Sequence, residues 1–306
     1  MDKNINGLPH GRESYISYYG EYVLKRPLPH LGEDARAKWL AKQHNTQSNI
    51  DAIRAVGNPV YHVPKMVYIN DAEYQILEEL ATGEPLTAQL FNKLTRRQKV
   101  EIVIGMANFL VDMNESRPIQ DWQRHNISDE IKFARLDNFI NNKMARWFSN
   151  EELRFMGRIR DEIGTFEYTT RPAWSHCDLN PGNVLYDAAR SRLSIIDFAE
   201  ANYHFIYRDI FSPVANELSL GRRIYEEYSD IHNSDLYDIH DVDSDELRKI
   251  MKYRLITLLL RRFIKASDDL RINPANEKSV KNNEDKVVFM RDVMAQIKTI
   301  DASASK

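Results

Sequence analysis

The sequence predicts an α+β protein in which a small antiparallel sheet with one long helix precedes a larger, mainly helical part. Three observations support this prediction. Short runs of aromatic and β-branched residues occur before residue 80, helical periodicity dominates after residue 87, and a Gly/Pro-containing turn at 81–85 separates the two patterns. We therefore predict an N-terminal lobe of residues 1–83 and a C-terminal lobe of residues 84–306.

The N-terminal lobe is predicted to begin with a β-hairpin, because aromatic and β-branched residues flank a turn near Gly20. A helix with a buried apolar side follows, and Gly57 is expected to end it. The predicted elements are a hairpin at 14–25, a helix at 33–56, and strands at 63–69 and 73–80.

The C-terminal lobe shows apolar residues at the three- and four-residue spacing of amphipathic helices. A strand–loop–strand segment at 173–198 interrupts this pattern. Helices are predicted at 95–115, 128–148, 150–165, 209–228, 244–266 and 284–299.

The composition is that of an ordinary globular chain. A formal net charge of −3 gives no global argument for nucleic acid as a partner. No apolar run approaches the ~20 residues of a membrane helix, so no membrane span is expected. The start lacks the apolar core of a signal peptide, and a single cysteine cannot form an internal disulfide. We therefore expect a cytoplasmic protein.

Three oxygen-rich side chains stand out in the strand–loop–strand segment. Asp178 and Asn183 lie five residues apart in a loop that contains a Pro-Gly pair, and Asp197 follows a short apolar strand. Carboxylate and amide oxygens are hard ligands that suit Mg²⁺, which shares its coordination with substrate phosphates. The pattern therefore predicts a site for Mg²⁺ and phosphate.

Phosphoryl transfer requires few protein groups. These are a metal that bridges the phosphates, a lysine on the nucleotide, and a carboxylate that orients the acceptor hydroxyl. Lys25 ends the second strand of the predicted hairpin. The chain therefore contains a lysine and, later in the sequence, the metal ligands and a further aspartate that this reaction requires.

Two segments, His176–Leu185 and Ile195–Phe198, resemble the catalytic and metal-binding motifs of the aminoglycoside phosphotransferase and choline kinase superfamily. The resemblance extends roughly from residue 7 to residue 265. It implies a two-lobed protein-kinase-like fold and an ATP- and Mg²⁺-dependent kinase that phosphorylates a hydroxyl of a small molecule.

The resemblance assigns roles within the loop and the segment after it. Asp178 resembles the catalytic aspartate that orients the acceptor hydroxyl, and Asn183 and Asp197 resemble the Mg²⁺ ligands that hold the nucleotide phosphates. His176 resembles a residue that braces the loop, and Asp209 resembles a later aspartate that supports it.

On the nucleotide side, Lys25 resembles the lysine that binds the α- and β-phosphates. Glu79 and Ala81 fall where the hinge between the lobes offers a backbone carbonyl and an N–H to adenine, and Gly83 matches the hinge glycine.

Two departures from the family pattern are visible. The lysine normally pairs with a glutamate of the following helix, but here Glu33 and Asp34 at the helix start are the only nearby acids, and Gln43 could substitute. Cys177 takes a position often held by glycine.

The acceptor is expected to be cationic. Residues 226–246 contain nine acids and no Lys or Arg, a charge pattern that attracts cations. The alternative is a solvated loop in which Asp243 or Ser244 caps the next helix. Aromatic residues that could cradle a quaternary ammonium are Tyr203, Phe205, Tyr207, Tyr225, Tyr228 and Tyr237.

Two other functions stay open from the sequence. A protein or peptide kinase would present the same catalytic residues. A catalytically inactive nucleotide-binding regulator is favoured only by the missing helix glutamate, and Asp178 argues against it because a binding protein does not need the catalytic carboxylate.

Overall fold

The computed structural model describes residues 14–117, 137, 147–164, 172–205, 208–210, 212–218 and 220–231, with single positions between 287 and 302. The chain forms two compact units, one of Met1–Gln120 with Ala173–His232 and one of Asp121–Pro172 with Asn233–Lys306. All the predicted site residues belong to the first unit. The lobe boundary between residues 83 and 84 stays a prediction.

The strands lie in three sheets. They are β1 (Ser14–Tyr19), β2 (Tyr22–Pro27), β3 (Tyr61–His62), β4 (Met66–Asn70), β5 (Gln75–Glu79), β6 (Glu84–Pro85), β7 (Pro172–Ser175), β8 (Val184–Asp187), β9 (Arg192–Ile195) and β10 (Asn202–Phe205). The first sheet is antiparallel with the order β1-β2-β5-β4, the second has the order β3-β9-β8-β6, and β7 pairs with β10.

The antiparallel sheet places Lys25 on an inner strand. The predicted hairpin is confirmed as β1 and β2, joined by a turn in which Gly20 has a φ of 60°. Lys25 lies opposite Ile16 of β1 and opposite Ile76 of β5. The lysine is therefore held between two paired strands rather than at a sheet edge.

The described continuous helices are α1 (Glu33–Val56), α2 (Ala88–Lys93), α3 (Arg96–Ser116), α4 (Asn150–Gly164), α5 (Pro213–Glu217) and α6 (Gly221–Ile231). The predicted helix over 33–56 is confirmed, and Gly57 ends it in the left-handed region with a φ of 73°. Glycine favours this C-terminal position because it has no Cβ to clash with the last turn. The buried side of α1 includes three polar residues, Gln43, Thr46 and Asn49.

Helix α3 forms the centre of the first unit. A capping box joins Thr95 and Gln98 at its start, which fixes where the helix begins. Its buried side includes Ile102, Met106 and Phe109, which are at most 1% exposed. The prediction of a helix over 95–115 is confirmed.

Two predicted elements differ from the structure. The strand expected over 63–69 begins only at Met66, and residues 61–62 form the separate strand β3, which pairs with β9. Pro64 lies between them and cannot donate a ladder hydrogen bond, which separates the two strands.

The helix expected over 209–228 is also wrong in extent. It is divided into α5 and α6, and α5 begins at Pro213. Proline suits a first helical position because its φ is fixed and its missing N–H needs no partner there.

The second unit includes α4, which confirms the helix predicted over 150–165. At its start, Arg291 forms an ion pair of 2.6 Å with Glu152. Val287 and Met294 of the helix predicted over 284–299 are buried. The helices predicted over 128–148 and 244–266 lie outside the described residues, apart from positions 137, 147 and 148.

No helix within the described ranges is long and apolar enough to cross a membrane.

Candidate active site

The loop between β7 and β8 is held at its start by a buried carboxylate. Asp209, which is 3% exposed, accepts hydrogen bonds from the backbone N–H of His176 at 2.6 Å and of Cys177 at 3.2 Å. Such bonds are strong because the acceptor is charged. Asp209 therefore fixes the backbone immediately before Asp178.

His176 connects the loop to the segment that contains Asp197. Its Nδ1 accepts the backbone N–H of Asp178 at 3.3 Å, and its Nε2 lies 3.0 Å from the carbonyl oxygen of Ile196. These two contacts require the neutral ring with the proton on Nε2. Burial lowers the pKa of His176, although the charge of Asp209 opposes this shift. The ring is fully buried, so it acts as a structural link rather than a proton donor to substrate.

Asp178 and Asn183 are in direct contact. The Asn183 Nδ2 donates to the Asp178 carbonyl oxygen at 2.8 Å and to the carboxylate Oδ2 at 3.0 Å. Because the amide nitrogen faces two acceptors, the Asn183 Oδ1 is directed to other partners. Asn180 shapes the turn between them by accepting the Gly182 N–H at 2.8 Å.

The environment of Asp178 makes its carboxylate a stronger base than an ordinary aspartate. Burial raises the pKa of Asp178, and the negative charge of Asp197 adds to this effect. Hydrogen bonds from Asn180 and Asn183 act in the opposite direction without reversing the shift. A raised pKa suits a group that must accept a proton near neutral pH.

Asp197 follows β9 in a strained backbone conformation. Its φ is 64° and its ψ is 69°, in the left-handed region that costs a non-glycine residue about 1–3 kcal/mol. Neighbouring hydrogen bonds hold this conformation. The Ile196 N–H donates to the Asn183 carbonyl at 3.0 Å, and the Asn49 Nδ2 of α1 donates to the Phe198 carbonyl at 3.1 Å.

Cys177 also has a left-handed backbone, with a φ of 67°. This conformation is the one that glycine adopts without strain, which gives a physical reason for a glycine at this position in the family. Cys177 tolerates it here because Asp209 accepts its N–H and Arg208 donates to its carbonyl at 3.3 Å.

Lys25 is paired within the sheet and not with the helix. Its Nζ lies 2.6 Å from the Glu78 Oε2 on the adjacent strand β5. Neither Glu33 nor Asp34, the acids considered from the sequence, forms an ion pair with Lys25, although both lie in the described part of α1. Gln43, the third candidate, is buried in α1 and no hydrogen bond joins it to Lys25 in the described ranges.

The charge of Lys25 is preserved by its neighbours. Burial alone would lower the pKa of Lys25, but the charge and hydrogen bond of Glu78 outweigh it, and the charge of Asp197 adds to them. The pKa of Lys25 is therefore raised. The effect of Asp197 on both Lys25 and Asp178 indicates that the three groups share one electrostatic environment.

The predicted hinge begins at Glu79, the last residue of β5, and continues directly after that strand. The Glu79 carboxylate accepts the Lys65 N–H at 2.8 Å, so this side chain is used within the sheet. The Leu80 N–H donates to the Glu21 carbonyl at 2.8 Å and ties the segment to the β1–β2 turn. Nucleotide contacts of the Glu79 carbonyl and the Ala81 N–H stay predictions.

Gly83, in the predicted hinge, lies against β8, the strand that follows the loop of Asp178 and Asn183. Its φ is 110°, and an added Cβ would lie 2.6 Å from the Tyr186 carbonyl carbon and 2.7 Å from the Asp187 nitrogen. The next two residues pair with Tyr186 and Leu185 as strand β6 against β8. Only glycine satisfies both the backbone angle and this close approach.

The acceptor side is described only in part. Residues 232–246 of the acidic stretch lie outside the described ranges, as do Tyr207 and Tyr237. Tyr228 is fully buried, and its hydroxyl accepts a hydrogen bond from Asn114 at 2.8 Å. Its contact with the acceptor stays a prediction. Tyr203 is 41% exposed and packs edge-on against Trp174.

Two residues near the site were not found from the sequence. Glu78 lies on a neighbouring strand, and Asn49 is separated from Phe198 by 149 positions. The spacing of acids and amides along the sequence does not show how two strands are paired or how a helix is rotated. The residues around Glu78 and Asn49 therefore could not indicate either contact.

The sequence profile of the phosphotransferase enzyme family matches residues 5–237. This match covers more than half of the chain and confirms the resemblance inferred from the motifs. A search of curated proteins finds no significant match to this chain.

Solved structures with a similar fold include two aminoglycoside phosphotransferases and a choline kinase relative. The GDP complex of wild-type aminoglycoside 2'-phosphotransferase-IIIa is 13% identical with a TM-score of 0.62, and covers 94% of this chain and 91% of that one. The streptomycin–ATP complex of APH(2")-IIa is 18% identical with a TM-score of 0.53, and covers 84% of each chain. A choline/ethanolamine kinase family protein from Mesorhizobium loti is 13% identical with a TM-score of 0.53, and covers 94% and 90%. These likenesses confirm the predicted protein-kinase-like fold.

Proposed function

Because the chain belongs to the phosphotransferase enzyme family, we propose that it transfers the γ-phosphoryl group of ATP to a hydroxyl of a small cationic molecule. The observation that carries this proposal is the pair of Asp178 and Asn183, joined at 3.0 Å in a loop braced by His176 and Asp209. A carboxylate with a raised pKa lies there in contact with the Asn183 side-chain amide.

Asp178 is the proposed proton acceptor. Its carboxylate orients the acceptor hydroxyl and takes its proton as the hydroxyl oxygen bonds to the γ-phosphorus. The bond from that phosphorus to the β–γ bridging oxygen breaks, and ADP leaves. Most of the catalytic effect in this reaction class comes from positioning and from electrostatic stabilisation. The three backbone contacts that fix the loop around Asp178 support this role.

Asn183 and Asp197 are the proposed ligands of Mg²⁺. Their donor set fits this ion, because Mg²⁺ uses one or two protein oxygen ligands and completes its shell with water and phosphate. The Asn183 Nδ2 is occupied by Asp178, which would leave the Oδ1 as the amide atom for a metal, and Asp197 is exposed. Mg²⁺ held by Asn183 and Asp197 would supply positive charge to stabilise the nucleotide phosphates.

Lys25 is proposed to contact the α- and β-phosphates, and the hinge to bind adenine through the Glu79 carbonyl and the Ala81 N–H. The preserved positive charge of Lys25 supports the first contact. The Leu80 and Gly83 contacts, which hold the hinge backbone between two sheets, support the second.

The acceptor is proposed to carry a positive charge. Nine acids between residues 226 and 246, without a basic residue, support an attraction for cations. The related structures include complexes with kanamycin, gentamicin and streptomycin, which are ligands of those proteins. The inactive-regulator alternative loses its one supporting feature, because Glu78 replaces the missing helix glutamate as the partner of Lys25.

The direct test is ADP release with a panel of hydroxylated acceptors: aminoglycosides, choline, ethanolamine, amino sugars, homoserine and a serine-containing peptide. We expect turnover with a cationic small molecule. Replacing acids of 226–246 by their amides should raise the KM for that acceptor and leave the KM for ATP unchanged. Turnover with the peptide alone would favour a peptide kinase, and an equal KM in the amide variants would refute the cationic assignment.

A further inference from the structure

Lys25 and Glu78 form an ion pair that lies entirely within the first sheet. The Nζ–Oε2 distance is 2.6 Å, and the two side chains are 26% and 13% exposed. The residues come from neighbouring antiparallel strands, with Glu78 opposite Val23 and therefore diagonal to Lys25. Ladder hydrogen bonds fix both backbones, so the geometry of the pair follows from the strand register.

Helix α1 contributes to a different part of the site. Its buried Asn49 binds the Phe198 carbonyl, and its Lys42 lies 3.0 Å from the Glu200 carboxylate. Both contacts hold the short segment after Asp197. The helix thus supports the segment that carries a proposed metal ligand, while a strand supports the lysine.

We propose that Glu78 is the positioning residue that orients Lys25 toward the nucleotide phosphates, in the place of a helix carboxylate. This inference depends on the proposed function. Glu78 directly precedes Glu79, whose carbonyl is the proposed adenine acceptor. The end of β5 therefore determines both the orientation of the Lys25 side chain and the position of the hinge. The orientation of Lys25 does not depend on the position of α1.

The charge of Glu78 has a second consequence. It offsets the burial of Lys25, which would otherwise favour the neutral amine. Without this carboxylate, the pKa of Lys25 should fall. Lys25 would then lose its proton at a lower pH, and affinity for the anionic phosphates would decrease with it.

The test uses Glu78→Gln, which keeps a hydrogen-bond acceptor but removes the charge, and Glu78→Asp, which keeps the charge on a shorter side chain. ATP–Mg²⁺ binding by the full-length protein is measured by titration calorimetry without an acceptor. We expect Glu78→Gln to bind ATP about tenfold more weakly, because a charge-assisted pair is lost. When the pH is raised, the ATP affinity of Glu78→Gln should begin to fall at a lower pH than that of the wild type. Glu78→Asp should restore part of the affinity and part of the wild-type pH dependence.

Two controls separate this role from general effects. Glu73→Gln is the same substitution at an exposed position in the β4–β5 turn, and it should bind ATP like the wild type. The double variant Glu33→Gln/Asp34→Asn removes the two acids in the first turn of α1 and should also leave affinity unchanged.

Several results would overturn the inference. Equal or tighter ATP binding by Glu78→Gln would do so, as would weaker binding in the Glu33/Asp34 variant. If Glu78→Gln does not fold, Glu78→Asp decides alone, and wild-type affinity in that variant would contradict a geometric role. A wild-type protein that binds ATP but phosphorylates no acceptor refutes the proposed function while leaving this inference intact, whereas a wild type that does not bind ATP refutes both.

Discussion

Replacing Gly83 by alanine tests whether the hinge must lie directly against β8. The new Cβ would lie 2.6 Å, 2.7 Å and 2.8 Å from backbone atoms of Tyr186 and Asp187, far inside van der Waals contact. Backbone atoms paired in a sheet cannot move aside as a flexible side chain can. The φ of 110° adds strain of about 1–3 kcal/mol for a non-glycine residue.

We expect Gly83→Ala to lose about 2–6 kcal/mol of unfolding free energy, the sum of this strain and a typical overpacking cost of about 1–3 kcal/mol. At roughly 2–4 °C per kcal/mol for a large domain, the Tm should fall by about 4–24 °C. Displacement of the hinge should also raise the KM for ATP. Scanning calorimetry and steady-state kinetics measure the two effects.

Two glycines provide matched controls. Gly20 also has a positive φ but has open space around it, so Gly20→Ala should cost only the backbone term, about 1–2 kcal/mol. Gly157 lies in helix α4 with open space, and Gly157→Ala should stabilise the helix by up to about 1 kcal/mol. If Gly83→Ala is no less stable than Gly20→Ala, the close approach to β8 is not a constraint and the reasoning fails.

Three further predictions concern the catalytic loop. The active form of Asp178 is deprotonated, and its pKa is raised. As the pH is lowered, kcat should therefore begin to fall at a higher pH than an ordinary aspartate would give. A pH–rate profile that stays flat down to the ordinary aspartate range would contradict this. Asp209→Asn replaces a charged acceptor of two N–H groups by a neutral one, so kcat should drop about tenfold or more with little change in the KM for ATP, and equal kcat would exclude the support role. Cys177→Gly relieves a left-handed backbone and should leave the free energy of unfolding equal or higher, by about 1 kcal/mol at most. A clear loss of stability would mean that the Cys177 side chain packs favourably.

Elements whose formation depends only on neighbouring residues could be predicted from the sequence. The end of α1 at Gly57 follows from glycine's preference for the left-handed region, and the hairpin turn at Gly20 has the same origin. The contact of Asp178 with Asn183 was also predictable, because a spacing of five within one turn keeps the two side chains close.

Contacts between distant segments could not be predicted in the same way. The pairing of Lys25 with Glu78 depends on the register of β2 against β5, and the contact of Asn49 with Phe198 depends on how α1 is rotated. The late start of the helix expected over 209–228 reflects the position of Pro213 as the first residue of α5 and the hydrogen bonds of Asp209 to the loop that contains Asp178. Apolar periodicity alone contains none of this information.

The most direct test of the central claim compares Asp178→Asn with the wild type for transfer of phosphate to an acceptor and for ATP–Mg²⁺ binding. Asp51→Asn, at an exposed position of α1, serves as the matched control. We predict that the wild type and the control add one phosphoryl group to the acceptor, seen by mass spectrometry. Asp178→Asn should bind ATP with similar affinity and transfer at least about 100-fold more slowly. Transfer by Asp178→Asn at the wild-type rate would contradict the account.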